Sequence, residues 1–387
     1  MKDVDKKIKE VLSQGVGQIL PDQAGLFRLM KKRKIRLYHG IDPTSNKLHL
    51  GHTISLRKLQ QFADLGHEAI LVIGTGTVLT GDPSLRDKAR GRISEKEIKA
   101  NIKTWKAQAA KVLDFSKAKI RYNGDWLLKL NFKQIANIAS HISAIKLFQR
   151  DMFQKRLKRG DTVWAHEALY PLLQGYDSVY LDVDLEIGGT DQTFNMLIGR
   201  ELQQKMRKKE KFVMTLLMIL GTDGRQMSKS SGNCIWLTDS AEQMFGKIMS
   251  IADNLVPSYF KALTSVSLNE IKTLSPRDAK ARLAKEIVTM YHSKSAALNA
   301  EKEFNQVFKE KKPPSKIPQV LLKEKKLNLL DLLTKTKLAP SRSEAKRLVE
   351  QGGVKINGKV QKEWQKIVKL KKKDIVQVGK RKFIKLA

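Results

Sequence analysis

Apolar residues recur along this chain in two rhythms, one helical and one of continuous short runs. Over residues 1–34, Ile8, Val11, Leu12 and Ile19 are spaced for one face ahead of Lys31-Lys32-Arg33-Lys34, which predicts helix throughout. The run Ile35-Arg36-Leu37-Tyr38 predicts a buried strand closed by Gly40. Asp42-Pro43-Thr44 reads as a turn, because proline fixes its own φ and biases Asp42 toward extended backbone. A helix is expected from about His49, with Leu50, Ile54, Leu59 and Phe62 toward the core and Gly66 at its C-terminal end. Ala69-Ile70-Leu71-Val72-Ile73-Gly74 is apolar without alternation, as strands of parallel sheets are. Strand, helix and strand at this spacing make a βαβ unit with right-handed crossover.

Residues 95–160 turn mostly helical and interrupt the alternation, as an insertion does. The α/β pattern resumes with a helix at Ala165–Asp177 and a strand at Val179-Tyr180-Leu181-Asp182-Val183. Ile187-Gly188-Gly189-Thr190-Asp191-Gln192 leads into another helix, and Phe212–Leu220 predicts the last strand. From Thr238 the alternation stops. Ser275-Pro276 has the cap-then-proline form of a helix start, with Leu283, Ile287, Met290 and Tyr291 as its buried stripe. The expected organisation is therefore an α/β domain over 1–237 with its insertion at about 95–160, and an all-helical domain over 238–310. A linker over 311–326 and a small α+β domain over 327–387 complete it.

Charge sharpens the last assignment. The chain carries 74 Lys and Arg against 39 Asp and Glu, a net of +35. Residues 311–387 hold 23 basic and 6 acidic residues, a net of +17 in a fifth of the length. Such a tail suits a polyanionic partner, because releasing phosphate counterions drives nucleic-acid binding. One cysteine, Cys234, excludes an internal disulfide and a multi-thiolate zinc site. The charged start, Met1 to Lys7, is unlike a signal peptide, and no apolar stretch is long enough for a bilayer. A cytoplasmic, non-membrane protein without a structural metal is expected.

Two strings carry the chemistry. In His49-Leu50-Gly51-His52 the histidines stand at i and i+3 on a first helical turn, where free backbone N–H groups favour phosphate. Gly51 leaves room for a nucleotide to approach the backbone. Alone, the string also fits two ordinary helix histidines; a metal site would lack a carboxylate or thiol at ligand spacing. The second string is Gly221-Thr222-Asp223-Gly224-Arg225-Gln226-Met227-Ser228-Lys229-Ser230-Ser231-Gly232-Asn233. Its glycines and hydroxyls describe a polar loop whose lysine can close over a pyrophosphate leaving group.

In this order and on this α/β background, the strings resemble the HIGH and KMSKS signatures of class I aminoacyl-tRNA synthetases. Over nearly its whole length the chain resembles the bacterial tyrosyl-tRNA synthetases. That resemblance implies a Rossmann-type catalytic domain, activation of L-tyrosine by ATP with Mg2+ to tyrosyl-adenylate, and transfer to the 3′ end of tRNA(Tyr). It also implies a homodimer, with the 95–160 insertion as its interface. By the same resemblance, Tyr38 and Asp177 would bind the substrate's phenol. Tyr170, Gln174 and Asp82 would hold its α-ammonium, and Gln192 would lie near the carboxylate. Asp191 would take the ATP ribose, with Asp42, Thr44, Gly51, His49, His52, Arg86 and Lys229 on the nucleotide and its phosphates. Tyr170, Gln174 and Asp177 at i, i+4 and i+7 share one helix face.

Two departures from the family pattern stand out. Gln226 replaces the usual first lysine of the loop, leaving Lys229 and Arg225 as its cations. Leu85-Arg86 replaces the usual Gly-Lys after Asp82-Pro83-Ser84, with Arg90 further on. Both bear on the rate of adenylation.

The stretch from Pro340 to Lys359 resembles a small RNA-binding fold shared by a ribosomal small-subunit protein and many pseudouridine synthases. Arg342, Lys346 and Arg347 make one basic helix face, Gly352-Gly353 ends the helix, Asn357-Gly358 forms a hairpin turn and Lys355 lies between them. Lys155, Arg156, Lys158 and Arg159 are candidates to guide the acceptor stem. Three alternatives compete: a tryptophanyl-tRNA synthetase, which has no use for the Tyr38–Asp177 pair; a non-catalytic RNA-binding paralogue, kept open by Gln226 and Leu85; and another nucleotidyltransferase with the first string, which leaves both C-terminal domains unexplained.

Overall fold

Six strands form the main sheet: β1 (Val16–Leu20), β2 (Arg36–Ile41), β3 (Glu68–Ile73), β4 (Ala118–Tyr122), β5 (Leu185–Gly189) and β6 (Phe212–Leu216). Their order is β1-β6-β5-β2-β3-β4, parallel throughout except for the antiparallel pairing of β1 with β6. This computed structural model describes residues 2–84, 93–228, 231–310, 313, 317–322, 324, 326–379 and 382–387, and its chain divides into units 1–293 and 294–387.

The α/β architecture and its βαβ unit are as expected. Helix α3 (Leu50–Asp64) joins β2 to β3, and Gly66, at φ +79°, turns the chain just past it. β2 runs one residue past Gly40, and Ala69 to Ile73 of β3 are all buried. β5 lies on the other side of β2 from β3, so the strand order reverses between β2 and β5. Parallel sheets open a ligand crevice beyond the carboxyl ends of the strands at such a switch point.

Four expectations need correcting. Residues 1–34 are not one helical stretch: α1 (Lys2–Ser13) and α2 (Gln23–Lys32) flank β1, and Gly15, at φ +66°, ends the first. The predicted strand at Val179–Val183 is largely the end of α10 (Ala165–Leu181), and the strand comes later, as β5. The helix persists there because α10 packs tightly on α11 (Thr193–Arg207). A Cβ on Gly175 would lie 3.1 Å from the Gly199 Cα. The last strand stops at Leu216, and Leu220 instead bridges to Gln226.

The fourth correction concerns the insertion. It holds helices α4 (Glu95–Ile102), α5 (Trp105–Ala109), α6 (Gly124–Leu127), α7 (Phe132–Ser140), α8 (Ala144–Phe148) and α9 (Asp151–Lys158). It also supplies β4, the edge strand beside β3. Helices α12 (Ala241–Met249), α13 (Val256–Leu263), α14 (Leu268–Ile271) and α15 (Pro276–Tyr291) complete the first unit. Ser275 caps α15 through Asp278 N, Pro276 is its first residue, and Leu283, Ile287 and Tyr291 are buried as the stripe predicts; Met290 is half-buried.

The second unit begins with α16 (Lys294–Phe308). Its strands are β7 (Gln319–Val320), β8 (Lys326–Asn328), β9 (Val354–Ile356), β10 (Lys359–Val360), β11 (Ile367–Lys369), β12 (Ile375–Val378) and β13 (Lys382–Leu386). They make a five-stranded sheet, β10-β9-β12-β13-β7, and a β11-β8 pair. Helices α17 (Leu329–Lys335) and α18 (Arg342–Glu350) pack on them through Leu332, Leu333, Ala345 and Val349. Asn357 and Gly358, at φ +48° and +80°, form the β9–β10 turn. Among the described residues, no helix is long and apolar enough to cross a membrane.

Candidate active site

A cleft of about 310 Å³ opens at the carboxyl ends of β2, β3 and β5, and it gathers residues named from distant parts of the sequence. Asp42, Thr44, His49, Gly51 and His52 line it from the chain after β2. Asp82, Asp191 and Gln192 line it from two loops, and Tyr170, Gln174 and Asp177 from one face of α10. Met227 and Gln226 approach from the second signature loop. Tyr38 does not line the described cleft. Its ring is fully buried among Ile70, Val72, Trp126 and Val183, and its hydroxyl lies 3.0 Å from Ser178 Oγ. Arg86 and Lys229 lie outside the described residues, as do Leu85 and Arg90.

Asp177 marks one end. Its carboxylate accepts from Trp126 Nε1 at 2.8 Å and from Asn123 Nδ2 at 3.0 Å, and the side chain is buried. Burial pushes its carboxyl well above the usual carboxylate range, and these two hydrogen bonds pull against that shift. Neither holder was evident in the sequence. Asn123 and Trp126 come from the loop after β4 and from α6, so the misjudged insertion builds this corner.

Asp42 is the hub of the middle. Its carboxylate accepts from Thr77 Oγ1 at 2.7 Å and from Tyr170 Oη at 3.0 Å. Gly74 permits this placement: a Cβ there would come within 1.9 Å of Asp42 Oδ1. Gln192 Nε2 donates to Asp82 at 2.8 Å and to Asp191 at 3.0 Å, while its oxygen accepts from Asn195. Beside the Asp82–Asp191 pair stands Arg150, a buried cation the sequence reading did not name. It donates to Ser84 Oγ at 2.8 Å, lies over the Phe194 ring, and among the described residues its Nη1 has no partner.

The histidines differ from expectation in one chemically important way. Gly51 N donates to His49 Nδ1 and His49 N to His52 Nδ1, both at 3.1 Å. Leu50 N donates to Ile235 O and His52 N to His49 O. The first-turn N–H groups are therefore taken by the motif and by Ile235 and do not form a backbone phosphate cradle. What remains is the rings: with each Nδ1 accepting, each neutral imidazole carries its proton on Nε2. Burial holds both rings neutral, pushing His49 down to about 4 and His52 lower than its ordinary value. They are hydrogen-bond donors rather than cations.

The chain leading to this motif is clamped by the insertion. Asn101 Nδ2 donates to Pro43 O, Trp105 Nε1 to Ser45 O, and Gln108 binds both Asn46 O and Leu48 N. On the facing side, Asn233 clips the second loop by accepting from Ser228 N and donating to Asp223 and Gln226 O. Arg225, the other expected loop cation, is exposed and pairs with Asp223 at 3.4 Å.

Among the candidate RNA contacts, Arg156 is withdrawn. It is buried in an ion pair with Glu167 at 2.7 Å, so it holds α9 to α10. In the second unit, Arg342 pairs with Asp331, Arg347 with Glu344, and Lys346 Nζ lies 4.5 Å over the Trp364 ring. All three remain largely exposed, and Lys355 is half-buried on β9. Exposed pairs of this kind contribute little stability, so exchanging the carboxylate for a phosphate costs little.

Comparison with known proteins follows the same division. A family model described as tRNA synthetases class I (W and Y) matches residues 30–309. Another, for the tyrosine–tRNA ligase SYY-like C-terminal domain, matches residues 303–386. The tyrosine–tRNA ligase of Moorella thermoacetica is 41% identical over 97% of this chain and 94% of its own length. That of Haemophilus influenzae is 41% identical over 100% and 98%. Among solved structures, a C-terminally truncated mitochondrial tyrosyl-tRNA synthetase from Aspergillus nidulans matches with a TM-score of 0.66 at 22% identity, over 79% of this chain and 99% of that one. The Archaeoglobus fulgidus tyrosyl-tRNA synthetase complexed with L-tyrosine matches with a TM-score of 0.62 at 21% identity, over 77% and 100%. At these identities the structures bear on the fold alone.

Proposed function

The chain belongs to the class I tRNA synthetases of the tryptophan and tyrosine type, and on that footing we propose that its cleft is where L-tyrosine and ATP react. Its activity is that of a tyrosine–tRNA ligase: tyrosine and ATP give tyrosyl-adenylate and pyrophosphate, and the tyrosyl group passes to the 3′ end of tRNA(Tyr). The observation that carries the assignment of the cleft is Asp177. A buried acceptor, oriented from two sides, suits a phenolic O–H and leaves an unpaired polar group when phenylalanine enters.

From that end the roles follow the cleft's length. Tyr38, at hydroxyl distance from Ser178, supports the phenol corner from below. Tyr170, Gln174 and Asp82 receive the α-ammonium, and Gln192 the carboxylate. Asp191 and Asp42 take the nucleotide's sugar and the junction between the substrates. Gly51 leaves room for the nucleotide, and Thr44 with Arg86 reaches toward the phosphates. His49 and His52 donate Nε2–H to phosphate oxygens, while Lys229 supplies the full positive charge to the pyrophosphate as it leaves. Mg2+ arrives on the ATP and has no assigned protein ligand. Catalysis is in-line positioning with charge stabilisation, without a general base.

Residues 238–310 serve the anticodon side, and the expected linker, 311–326, is shortened because β7 joins the sheet of the RNA-binding domain beside β13. Residues 327–387 bind RNA through Arg342, Lys346, Arg347 and Lys355. The working unit is a homodimer in the cytoplasm. Leu128, Phe132 and Ile145 in the insertion support the second copy, because each is a large apolar side chain exposed to solvent.

Amino-acid-dependent ATP–pyrophosphate exchange tests the assignment, comparing tyrosine, phenylalanine and tryptophan with Lys229→Ala as control. Exchange with tyrosine alone, lost in the variant, is the expected result. Exchange promoted by tryptophan would overturn the reading of the phenol corner.

A further inference from the structure

At the wall of the cleft, which Glu186 lines, lies a buried ion pair that neither signature announces. Lys211, just ahead of β6, is fully buried, and its Nζ donates to Ser178 Oγ at 2.8 Å and to the Glu186 carboxylate. Glu186, on β5, is 2% exposed. It accepts three kinds of donor: Lys211, Ser178 Oγ at 3.2 Å, and Gln174 Nε2 at 3.0 Å. Tyr38 joins the cluster, with its hydroxyl 3.0 Å from Ser178 Oγ and 3.3 Å from Gln174 O.

One atom of this cluster stands out. Gln174 Oε1 is buried, and among the described residues it has no hydrogen-bond partner. An ionised carboxylate can only accept, so Glu186 compels the NH2 half of the Gln174 carboxamide to face it. The carbonyl half is then turned away from Glu186 as an unsatisfied acceptor, on a side chain that lines the cleft. A buried oxygen left in that state calls for a donor from the ligand.

We infer that the Lys211–Glu186 pair is a positioning device for tyrosine binding: the carboxylate fixes the Gln174 carboxamide so that its oxygen receives the substrate's α-ammonium, and Lys211 supplies the counter-charge the carboxylate needs. Without Lys211, this deeply buried carboxylate is left without its counter-charge, an arrangement costly enough to disturb the groups it orders, and the carboxamide loses its enforced orientation. Lys211 is not among the residues lining the cleft and Glu186 lines it while only 2% exposed, so in this inference both act through Gln174. The proposal rests on the reading that Gln174 receives the ammonium, and its test separates the two.

The test uses full-length protein in ATP–pyrophosphate exchange, with Glu186→Gln, Lys211→Met, the double Glu186→Gln/Lys211→Met and Gln174→Ala. KM is measured for tyrosine and for ATP. Inhibition by 3-(4-hydroxyphenyl)propionate, which keeps the phenol and carboxylate but lacks the ammonium, is measured alongside. Glu186→Gln is expected to raise the tyrosine KM by about tenfold, the loss of one oriented contact to a charged group. The ATP KM and the inhibition constant of the ammonium-free analogue should stay within about twofold. Lys211→Met should do the same; if it fails to fold, Glu186→Gln and the neutral double variant decide. A folded Glu186→Gln with an unchanged tyrosine KM, beside Gln174→Ala with a raised one, would overturn the inference and leave the ammonium reading intact. An unchanged KM in Gln174→Ala would overturn that reading itself. Equal losses for tyrosine and the ammonium-free analogue would make the pair mere scaffolding, and the inference would fall.

Discussion

With the roles proposed above, the two ends of the cleft are built on opposite principles. At the tyrosine end, Asp177, Gln174 and Tyr38 are held by buried partners, and the Lys211–Glu186 ion pair there is desolvated. At the nucleotide end, the described groups from the first signature are neutral: two histidines that cap one helix and each other. A site that must reject a side chain differing by one hydroxyl profits from fixed, buried acceptors. A site that must release pyrophosphate profits from donors that hold phosphate without binding it as tightly as fixed cations would. On this view the full positive charge comes with the second loop, through Lys229.

The largest expected effect follows from that contrast. Lys229→Ala should lower the exchange rate constant by on the order of 10²–10³ while tyrosine affinity, measured by equilibrium dialysis, is unchanged. A loss confined to tyrosine KM would mean that the loop serves binding and not the leaving group.

Next comes the acid response. His49 is held down to about 4, below its unfolded value near 6.5, so the unfolded chain binds more protons between those values. Its contribution is therefore complete above about pH 6.5 and is lost as pH falls toward 4, by up to roughly 3 kcal/mol. Thermal melts between pH 7 and 5 should show a falling Tm that is flatter in His49→Asn. Equal slopes in both proteins would remove His49 from the account. Because both rings are neutral at pH 7, exchange activity should not track a histidine titration above pH 6.5.

The smallest effect belongs to the second unit. Arg347→Ala should leave pyrophosphate exchange untouched, weaken tRNA binding modestly, and lower the slope of log affinity against log salt by about 1. An unaltered salt slope would mean that Arg347 keeps its contact with Glu344 in the complex.

The same contrast governs what could be read from sequence. The nucleotide end was legible because its chemistry sits in contiguous strings, and α3 with its glycine at position 66 starts and stops where local rules place it. The chemistry inside those strings was not legible. The capping box that turns His49 and His52 into Nε2 donors depends on ring orientation, which no spacing reveals. At the tyrosine end, the spacing of Tyr170, Gln174 and Asp177 disclosed one helix face. The groups that hold them, Asn123 and Trp126, Glu186, and Lys211 behind Glu186, come from three separate places in the chain. Val179 to Val183 looked like a strand because Val179, Tyr180, Leu181 and Val183 make a short apolar run with β-branched and aromatic members. The close approach of Gly175 to Gly199 keeps that segment helical, and that is a tertiary fact. Likewise β1 was hidden between two helices, because its pairing with β6 spans nearly 200 residues. Arg156 shows the reverse error: a basic run suggested an RNA contact, whereas its partner Glu167 lies on the next helix.

Selection of tyrosine by this cleft is proposed to rest on Asp177, held by Asn123 and Trp126. The most direct measurement is the ratio of kcat/KM for tyrosine over phenylalanine in pyrophosphate exchange, in the wild-type chain and in Asp177→Asn. The ratio should fall by at least about tenfold, because the tyrosine value drops and the phenylalanine value does not. An unchanged ratio in a folded Asp177→Asn variant would contradict it.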